Sequence, residues 1–313
     1  MNNPKVSIVV PLYNEEKVFD LLIGRLKQVM LSADFKVETI LVNDGSSDRT
    51  ASLIEKTASV DEGFVGVLLS RNHGHQLAVT AGLSVAKGTE AVMIIDGDLQ
   101  DPPELLLDFY KKLKEGYDVI YAVRKNRKES SLKKLAYWFY YRLQQRVSNF
   151  KIPLDSGDFS MISRRVVDYM NQMPEQSRYL RGMRSWVGFK QFGFEYNRDA
   201  RAAGEAKYGW KKLFELAFNG IFNFSDFPVR FISRLGITII LLSFVYIGYV
   251  LFQKLLFGNV PEGFTTLIIA ITLFSGVQLI SIGLIGEYVL RIYNQVRNRP
   301  LFVIDKIISK AGQ

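Results

Sequence analysis

Two carboxylates one residue apart, Asp96-Gly97-Asp98, follow directly on the apolar run Ala91-Val92-Met93-Ile94-Ile95. A buried strand that ends in two acids aims both at the mouth of a sheet. There a hard divalent cation takes oxygen ligands and bridges carboxylates to phosphates. The next residues are Leu99-Gln100-Asp101-Pro102-Pro103-Glu104, in which the Pro pair stops the strand and opens a helix. The chemistry this spacing suits is the binding of a phosphate compound, and the rest of the chain decides which one.

Elements to position such a pair run through the first 120 residues, where short β-rich stretches alternate with helical patterns. Strands are expected at Val6–Val10, Val37–Val42, Phe64–Leu69, Ala91–Ile95 and Val119–Val123. Helices are expected at Glu15–Met30, Asp48–Ser59, Gln76–Ala86 and Glu104–Glu115. This alternation predicts an α/β fold, a mostly parallel sheet with helices on both faces. Ligands of such sheets bind beyond the carboxyl ends of the strands. Attention therefore falls on Pro11–Glu15, Asn43–Ser47, Ser70–His75, Asp96–Asp98 and Arg124, and on Asp158 after a further strand-like segment. Asn72, His73 and His75 read as a polar loop with no ligand role. No G-x-G-x-x-G follows the first strand, which argues against a dinucleotide oxidoreductase. Gly82–Gly88 lacks the spacing and the Lys of a P-loop.

Composition narrows the partners. The chain has no Cys, which excludes disulfides, thiolate metal sites and a cysteine nucleophile. Residues 1–120 hold twelve Lys and Arg against eighteen Asp and Glu, whereas residues 121–313 hold twenty-eight against thirteen. A basic remainder of that kind meets something anionic, nucleic acid or a membrane surface. Leu235–Phe252 and Phe264–Gly286 each run without a charge, close to the ~20 residues that span a bilayer. They read as a two-helix transmembrane hairpin, and their flanking cations put both termini on the cytoplasmic side of a multi-pass inner-membrane protein. Trp210–Phe224 has helical apolar spacing and reads as an interfacial helix on the cytoplasmic leaflet. Membrane lipids thus account for the basic balance, and nucleic acid is not an expected partner. The organisation expected is a cytoplasmic domain over 1–209, with a basic acceptor-side segment at 124–150. An interfacial helix follows at 210–229, then the hairpin at 230–290 (spans about 235–256 and 264–286) and a cytoplasmic tail at 291–313.

The motifs, in order, are Val9-Val10-Pro11-Leu12-Tyr13-Asn14-Glu15, Val42-Asn43-Asp44-Gly45-Ser46-Ser47-Asp48 and Asp96-Gly97-Asp98-Leu99-Gln100. Later come Ser156-Gly157-Asp158-Phe159, Arg181-Gly182-Met183-Arg184-Ser185-Trp186-Val187-Gly188-Phe189 and Gly204-Glu205-Ala206-Lys207-Tyr208. Together they resemble the family 2 glycosyltransferases of GT-A (Rossmann-like) fold. The closer likeness is to the polyprenyl-phosphate branch, which holds dolichyl-phosphate mannose synthases and bactoprenol glucosyltransferases. The resemblance covers essentially the whole chain. It departs at Ala206, where a small hydroxyl residue is common, and the Gln-x-x-Arg-Trp motif of processive synthases is absent.

The resemblance implies inverting transfer of one hexosyl unit from a UDP-sugar, or a GDP-sugar, to polyprenyl phosphate. Pro11, Tyr13, Asn14 and Glu15 would line the nucleoside, Asp44 would contact base or ribose, and Arg71 would reach base or phosphate. For Asp44 a turn-closing role is the alternative. Asp96, Asp98 and Gln100 would hold Mg2+ or Mn2+ on the donor diphosphate, with Asp98 the more direct ligand. Asp158 would face the reacting centre as the catalytic residue. Arg124, Arg127, Arg184 and Lys207 would bind acceptor or diphosphate. The product would serve a flippase and a downstream glycosyltransferase beyond the membrane, in envelope or lipopolysaccharide modification. A homo-oligomer is expected from small and polar residues in the second span. Glucose, N-acetylhexosamine, mannose and an aminopentose stay open as the sugar. A saccharide or diacylglycerol acceptor, and a non-catalytic membrane scaffold, are the competing readings.

Overall fold

The computed structural model describes residues 3–125, 156–197, 227–257 and 263–310. Its centre is four parallel strands, β1 (Val6–Leu12), β2 (Val37–Asn43), β3 (Phe64–Leu69) and β4 (Ala91–Ile94). All seven residues of β1 and of β2, and all four of β4, are buried. Unbroken burial is what a parallel strand covered on both faces requires. The crossovers are α1 (Phe19–Ser32), α2 (Thr50–Val60) and α3 (His75–Val85). The first of these begins four residues later than the amphipathic pattern predicts. Asn14 adopts a left-handed backbone (φ 54°), so the residues after β1 turn before any helix starts.

Small residues seat α3 tightly. A Cβ on Gly82 would lie 2.3 Å from Val9 Cγ1, so the helix approaches β1 as only Gly allows. This packing fixes where the N-terminal residues of α3, His75 and Gln76, stand over the carboxyl ends of the strands.

Beyond β4 the sheet becomes mixed. A 3-10 turn (Pro103–Leu105) leads into α4 (Leu106–Lys114) and β5 (Val119–Lys125), where one continuous helix from Glu104 is expected from the sequence. β6 (Ser156–Ser163) then inserts antiparallel between β4 and β5. It is followed by α5 (Arg164–Gln172), α6 (Leu180–Trp186) and β7 (Gln191–Asn197), which runs parallel to β5. Side chains of a strand alternate between faces, and β6 uses both. Phe159 packs on Phe109 of α4 and on Tyr196 of β7, at ring separations of 5.2 and 5.4 Å. Its neighbour Asp158 takes the opposite face.

The last strand, β8 (Ile304–Ile308), pairs antiparallel with the outer edge of β3 and completes the order β7-β5-β6-β4-β1-β2-β3-β8. A segment expected as a tail is thus an edge strand. Ile308 faces the core, whereas Ile307 is half exposed. Residues from Arg299 onward belong to the same compact unit as the sheet.

The second compact unit holds two long helices, α7 (Phe227–Phe257) and α8 (Phe264–Val296). At 1.5 Å per residue, their 31 and 33 residues extend about 46 and 50 Å. Among the described residues one stretch, Leu273–Val296 within α8, is long and apolar enough to cross a membrane. By this test one of the two expected spans is found among the described residues. Most of the interfacial segment 210–229, and of the basic segment 124–150, lies outside the described residues; 227–229 begin α7.

Ile308→Ala should cost about 2–4 kcal/mol in urea unfolding, the usual cost of truncating a buried Ile. Ile307→Ala should cost less than about 1 kcal/mol. Equal effects would show that β8 does not dock through Ile308.

Candidate active site

Three loops at the carboxyl ends of β1, β2 and β3 are stitched together by backbone and side-chain hydrogen bonds. Asn14 Oδ1 accepts the Ser47 N–H at 2.8 Å, the Asn14 N–H donates to Ser46 Oγ at 3.0 Å, and the Glu15 N–H donates to Thr50 Oγ1 at 3.0 Å. Gly45 has φ 64°, and a Cβ there would stand 2.4 Å from the backbone of Arg71 and Asn72. Asp44 is only 3 % exposed. Its two carboxylate oxygens accept the His73 and Gly74 N–H groups at 2.7 and 3.0 Å. Burial raises its pKa even though those donors pull the other way. Both oxygens are engaged with the loop after β3, rather than in closing the turn Asp44-Gly45-Ser46-Ser47. Pro11 is buried within β1, paired with Val42, and forms floor rather than surface. Tyr13 is exposed, and so is Arg71, whose guanidinium donates to Asn72 O at 3.0 Å.

The acidic loop after β4 is equally constrained. Gly97 has no room for a side chain, since its Cβ would lie 2.4 Å from Leu12 Cδ2. Leu99 is buried with φ 60°, a conformation that costs about 1–3 kcal/mol and persists only where the surroundings enforce it. Arg25 of α1 supplies part of that enforcement. It bonds Leu99 O at 3.4 Å and grips Glu104 through two contacts of 2.8 and 2.6 Å. Beneath the loop, the Tyr196 hydroxyl donates to buried Asp101 at 2.5 Å, which anchors the loop to β7. Asp98 Oδ1 accepts the Gln100 N–H at 3.2 Å. Asp96 Oδ1 is buried without a hydrogen-bond donor. Burial, with the charges of Asp101, Asp158 and Asp98 adding to it, pushes Asp96 up to about 6 against the opposing effect of His75.

Asp158 joins this loop to the far side of the cleft. Its Oδ1 accepts Arg181 Nε at 2.9 Å, and its Oδ2 accepts Gln76 Nε2 at 3.0 Å and Arg181 Nη2 at 3.4 Å. His75 Nε2 lies 3.4 Å from Asp158 Oδ2 and 3.6 Å from Asp96 Oδ1. Burial works to raise Asp158, but the Arg181 charge and the His75 contact hold it well below its ordinary value of 3.8. Burial likewise pulls His75 down, and the two carboxylates outweigh it, carrying the imidazole to about 9. His75 is therefore a cation at neutral pH between two acids. The sequence reading missed it by treating Asn72–His75 as a polar loop. The one signal present was its place after the third strand.

Next to Asp158, two guanidinium groups approach Gly157. Arg184 is 3 % exposed and its Nη2 donates to Gly157 O at 3.4 Å. Burial, only partly offset by Asp158, lowers its pKa to about 10. Arg124 Nη2 would stand 3.6 Å from a Cβ on Gly157. The Nε of each guanidinium is buried without a hydrogen-bond partner. The structure thus gathers Asp96, Asp98, Asp158, Arg184 and Arg124 around one cleft. Arg127 and Lys207 lie outside the described residues, as does the Gly204–Tyr208 motif.

The pattern of the family described as "Glycosyl transferase family 2" matches residues 7–170, more than half of the chain. The chain belongs to glycosyl transferase family 2. Over its length this glycosyltransferase is 44% identical to an uncharacterized glycosyltransferase of Bacillus subtilis, YkcC, with 96% of this chain and 93% of that protein covered. It is 39% identical to the SfII prophage-derived bactoprenol glucosyl transferase of Shigella flexneri, covering 96% and 98% of the two chains. Among solved structures, mannosyl-3-phosphoglycerate synthase from Rubrobacter xylanophilus matches 74% of this chain and 75% of its own, at 16% identity and TM-score 0.49. The mixed sheet with its flanking helices is the GT-A-like arrangement of this family.

Asp158 is an ionised hydrogen-bond acceptor that three side chains hold in place. Its folded pKa lies below the unfolded one, so the stability it contributes is fully present above the unfolded value and is lost as pH falls through the folded one. Unfolding of the wild type and of Asp158→Asn, compared from pH 7 to pH 3, should show a stability gap that narrows as pH falls. A gap independent of pH would contradict an ionised Asp158.

Proposed function

We propose that this glycosyltransferase moves one hexosyl unit, with inversion, from a UDP-sugar to polyprenyl phosphate at a membrane surface. The observation that carries this reading is the set of unsatisfied buried atoms near Asp158 and Gly157. Asp96 keeps a carboxylate oxygen without a donor, and Arg124 and Arg184 each keep a buried Nε without an acceptor. Unpartnered buried donors are costly, and a phosphate dianion satisfies them with charge-assisted, often bidentate, hydrogen bonds. The Shigella flexneri relative, a bactoprenol glucosyl transferase by name, supports both a lipid acceptor and glucose as the sugar.

The donor set suits a divalent cation of the Mg2+ or Mn2+ kind. Asp96 Oδ1 is buried and lacks a donor, and burial, with the acids around it, raises the Asp96 pKa. Among the described residues no three His, Asp or Glu form a metal cage. Mg2+ in particular is held by one or two carboxylates, with water and substrate phosphates completing its shell. Asp98, Asp96 and Gln100 would hold it, and it would offset the charge that develops on the departing diphosphate.

Transfer is a single displacement. A phosphate oxygen of the acceptor attacks the anomeric carbon, and the bond from that carbon to the diphosphate oxygen breaks with its electrons leaving on UDP. The acceptor needs little deprotonation, since its second pKa is about 6 by analogy with phosphorylated side chains. Asp158 accordingly acts without taking a proton: it holds Arg181 and His75 in place as cations beside the reacting groups. Arg124 and Arg184 neutralise and orient the attacking phosphate. Tyr13, Asn14, Glu15 and Arg71 flank the nucleoside side, with Asp44 and Pro11 shaping the loop beneath.

We read α7 and α8 as two crossings of the membrane. Support comes from β8, which follows α8 and pairs with β3 in the sheet that precedes α7. One crossing would separate those two strands by a bilayer; two crossings return the chain to the same side.

The full chain, offered a panel of UDP- and GDP-sugars with polyprenyl phosphate, should yield a phosphodiester-linked hexosyl lipid by mass spectrometry. Asp98→Ala or chelation should lower transfer by about 100-fold or more. Transfer to diacylglycerol or a saccharide alone would overturn the acceptor, and undiminished transfer by Asp98→Ala under chelation would overturn the metal's role. Because the chain has no Cys, single cysteines report topology directly. A cysteine at Asn259 should react with an impermeant thiol reagent from the side opposite to one at Lys306. Reaction of both from one side would exclude the hairpin.

A further inference from the structure

Gln76 stands second in α3, and its side chain makes two long-range bonds at once. Nε2 donates to Asp158 Oδ2 at 3.0 Å, and Oε1 accepts the backbone N–H of Leu180 at 2.8 Å. Leu180 is the first residue of α6, a helix of seven residues whose N-cap, Tyr179, makes no side-chain capping bond. Helix N-termini leave four N–H groups without internal partners, and Gln76 satisfies one of those of α6. Gln76 therefore caps α6 from another helix while gripping the carboxylate that α6 also touches through Arg181. The side chain itself is held at its base by α3, where Gly82 lies against Val9.

We propose that Gln76 is a positioning residue for the transfer, fixing α6 to Asp158 so that Arg181 and Arg184 meet the acceptor phosphate in register. This rests on reading the cleft as a sugar-transfer site with an anionic acceptor. The chemistry selects Gln at this position. Glu accepts from Leu180 but cannot donate to Asp158, and it sets a second carboxylate against Oδ2. Asn is one methylene too short to reach both partners. Met fills the volume with neither bond. Donor binding is not expected to depend on Gln76, because the nucleoside loops are held by Asn14, Asp44 and Gly45.

The test compares wild type with Gln76→Met, Gln76→Glu and Gln76→Asn in full-length protein. All three should fold and bind UDP within about 2-fold of wild type. Turnover with polyprenyl phosphate should fall roughly 10- to 100-fold, as expected when reacting groups lose register, with a raised acceptor KM. Wild-type kcat and acceptor KM in Gln76→Met would overturn the proposal, and so would UDP affinity falling in step with turnover. Hydrogen exchange supplies an arm that needs no acceptor. Faster exchange confined to residues 179–186 in Gln76→Met supports the assignment, and unchanged exchange there overturns it. A wild-type chain that transfers nothing to polyprenyl phosphate would count against the proposed acceptor, and the exchange arm would still decide Gln76.

Discussion

Carboxylates crowded into a partly buried cleft repel one another, and the fold has to supply cations or donors to keep them there. Asp158 receives its partners from elements far apart in sequence: Gln76 and His75 from α3, Arg181 from α6. Each contact fixes the angle between two elements as well as stabilising a charge. The acid near the start of β6 is consequently the point at which α3, α6 and the loop after β4 meet. Asp96, by contrast, keeps a buried oxygen without a donor. One acid is thus saturated with donors, and the other keeps an oxygen without one.

Much of the parallel half was legible because its signals are local. An apolar run such as Val6–Leu12 followed by turn residues marks a strand and its carboxyl end. The Asp96-Gly97-Asp98 loop could be placed from that pattern alone. Lateral order is not local, and nothing in Ser156–Ser163 says that it inserts antiparallel between β4 and β5. The same limit hid Asp101, whose partner Tyr196 lies on β7. It also hid His75, whose importance depends on two acids that only the folded sheet brings near. Helix starts were displaced for a related reason, since the left-handed turn at Asn14 comes from bonds to Ser46 and Ser47 rather than from periodicity.

Left-handed backbones and close-packed glycines recur at the carboxyl ends of the strands. The left-handed backbones of Asn14 and Leu99, and the missing side chains at Gly45 and Gly97, all lie there. At the opposite end of the sheet Glu38 accepts from Ser7 and from the Lys87 N–H, and Gly88 packs closely there too, since a Cβ on it would lie 2.5 Å from Ala91 O.

The position of β8 also bears on how the molecule is made. Its partner β3 is complete at Leu69, yet Ile304 is translated more than two hundred residues later, after both long helices. At roughly 5–20 residues per second, the edge of β3 waits unpaired for some tens of seconds. An open edge of that kind is a template for unwanted strand pairing. The Gly66–Leu69 edge is therefore the stretch of the nascent chain most in need of protection. The sheet closes only once the helices between its strands have been synthesised.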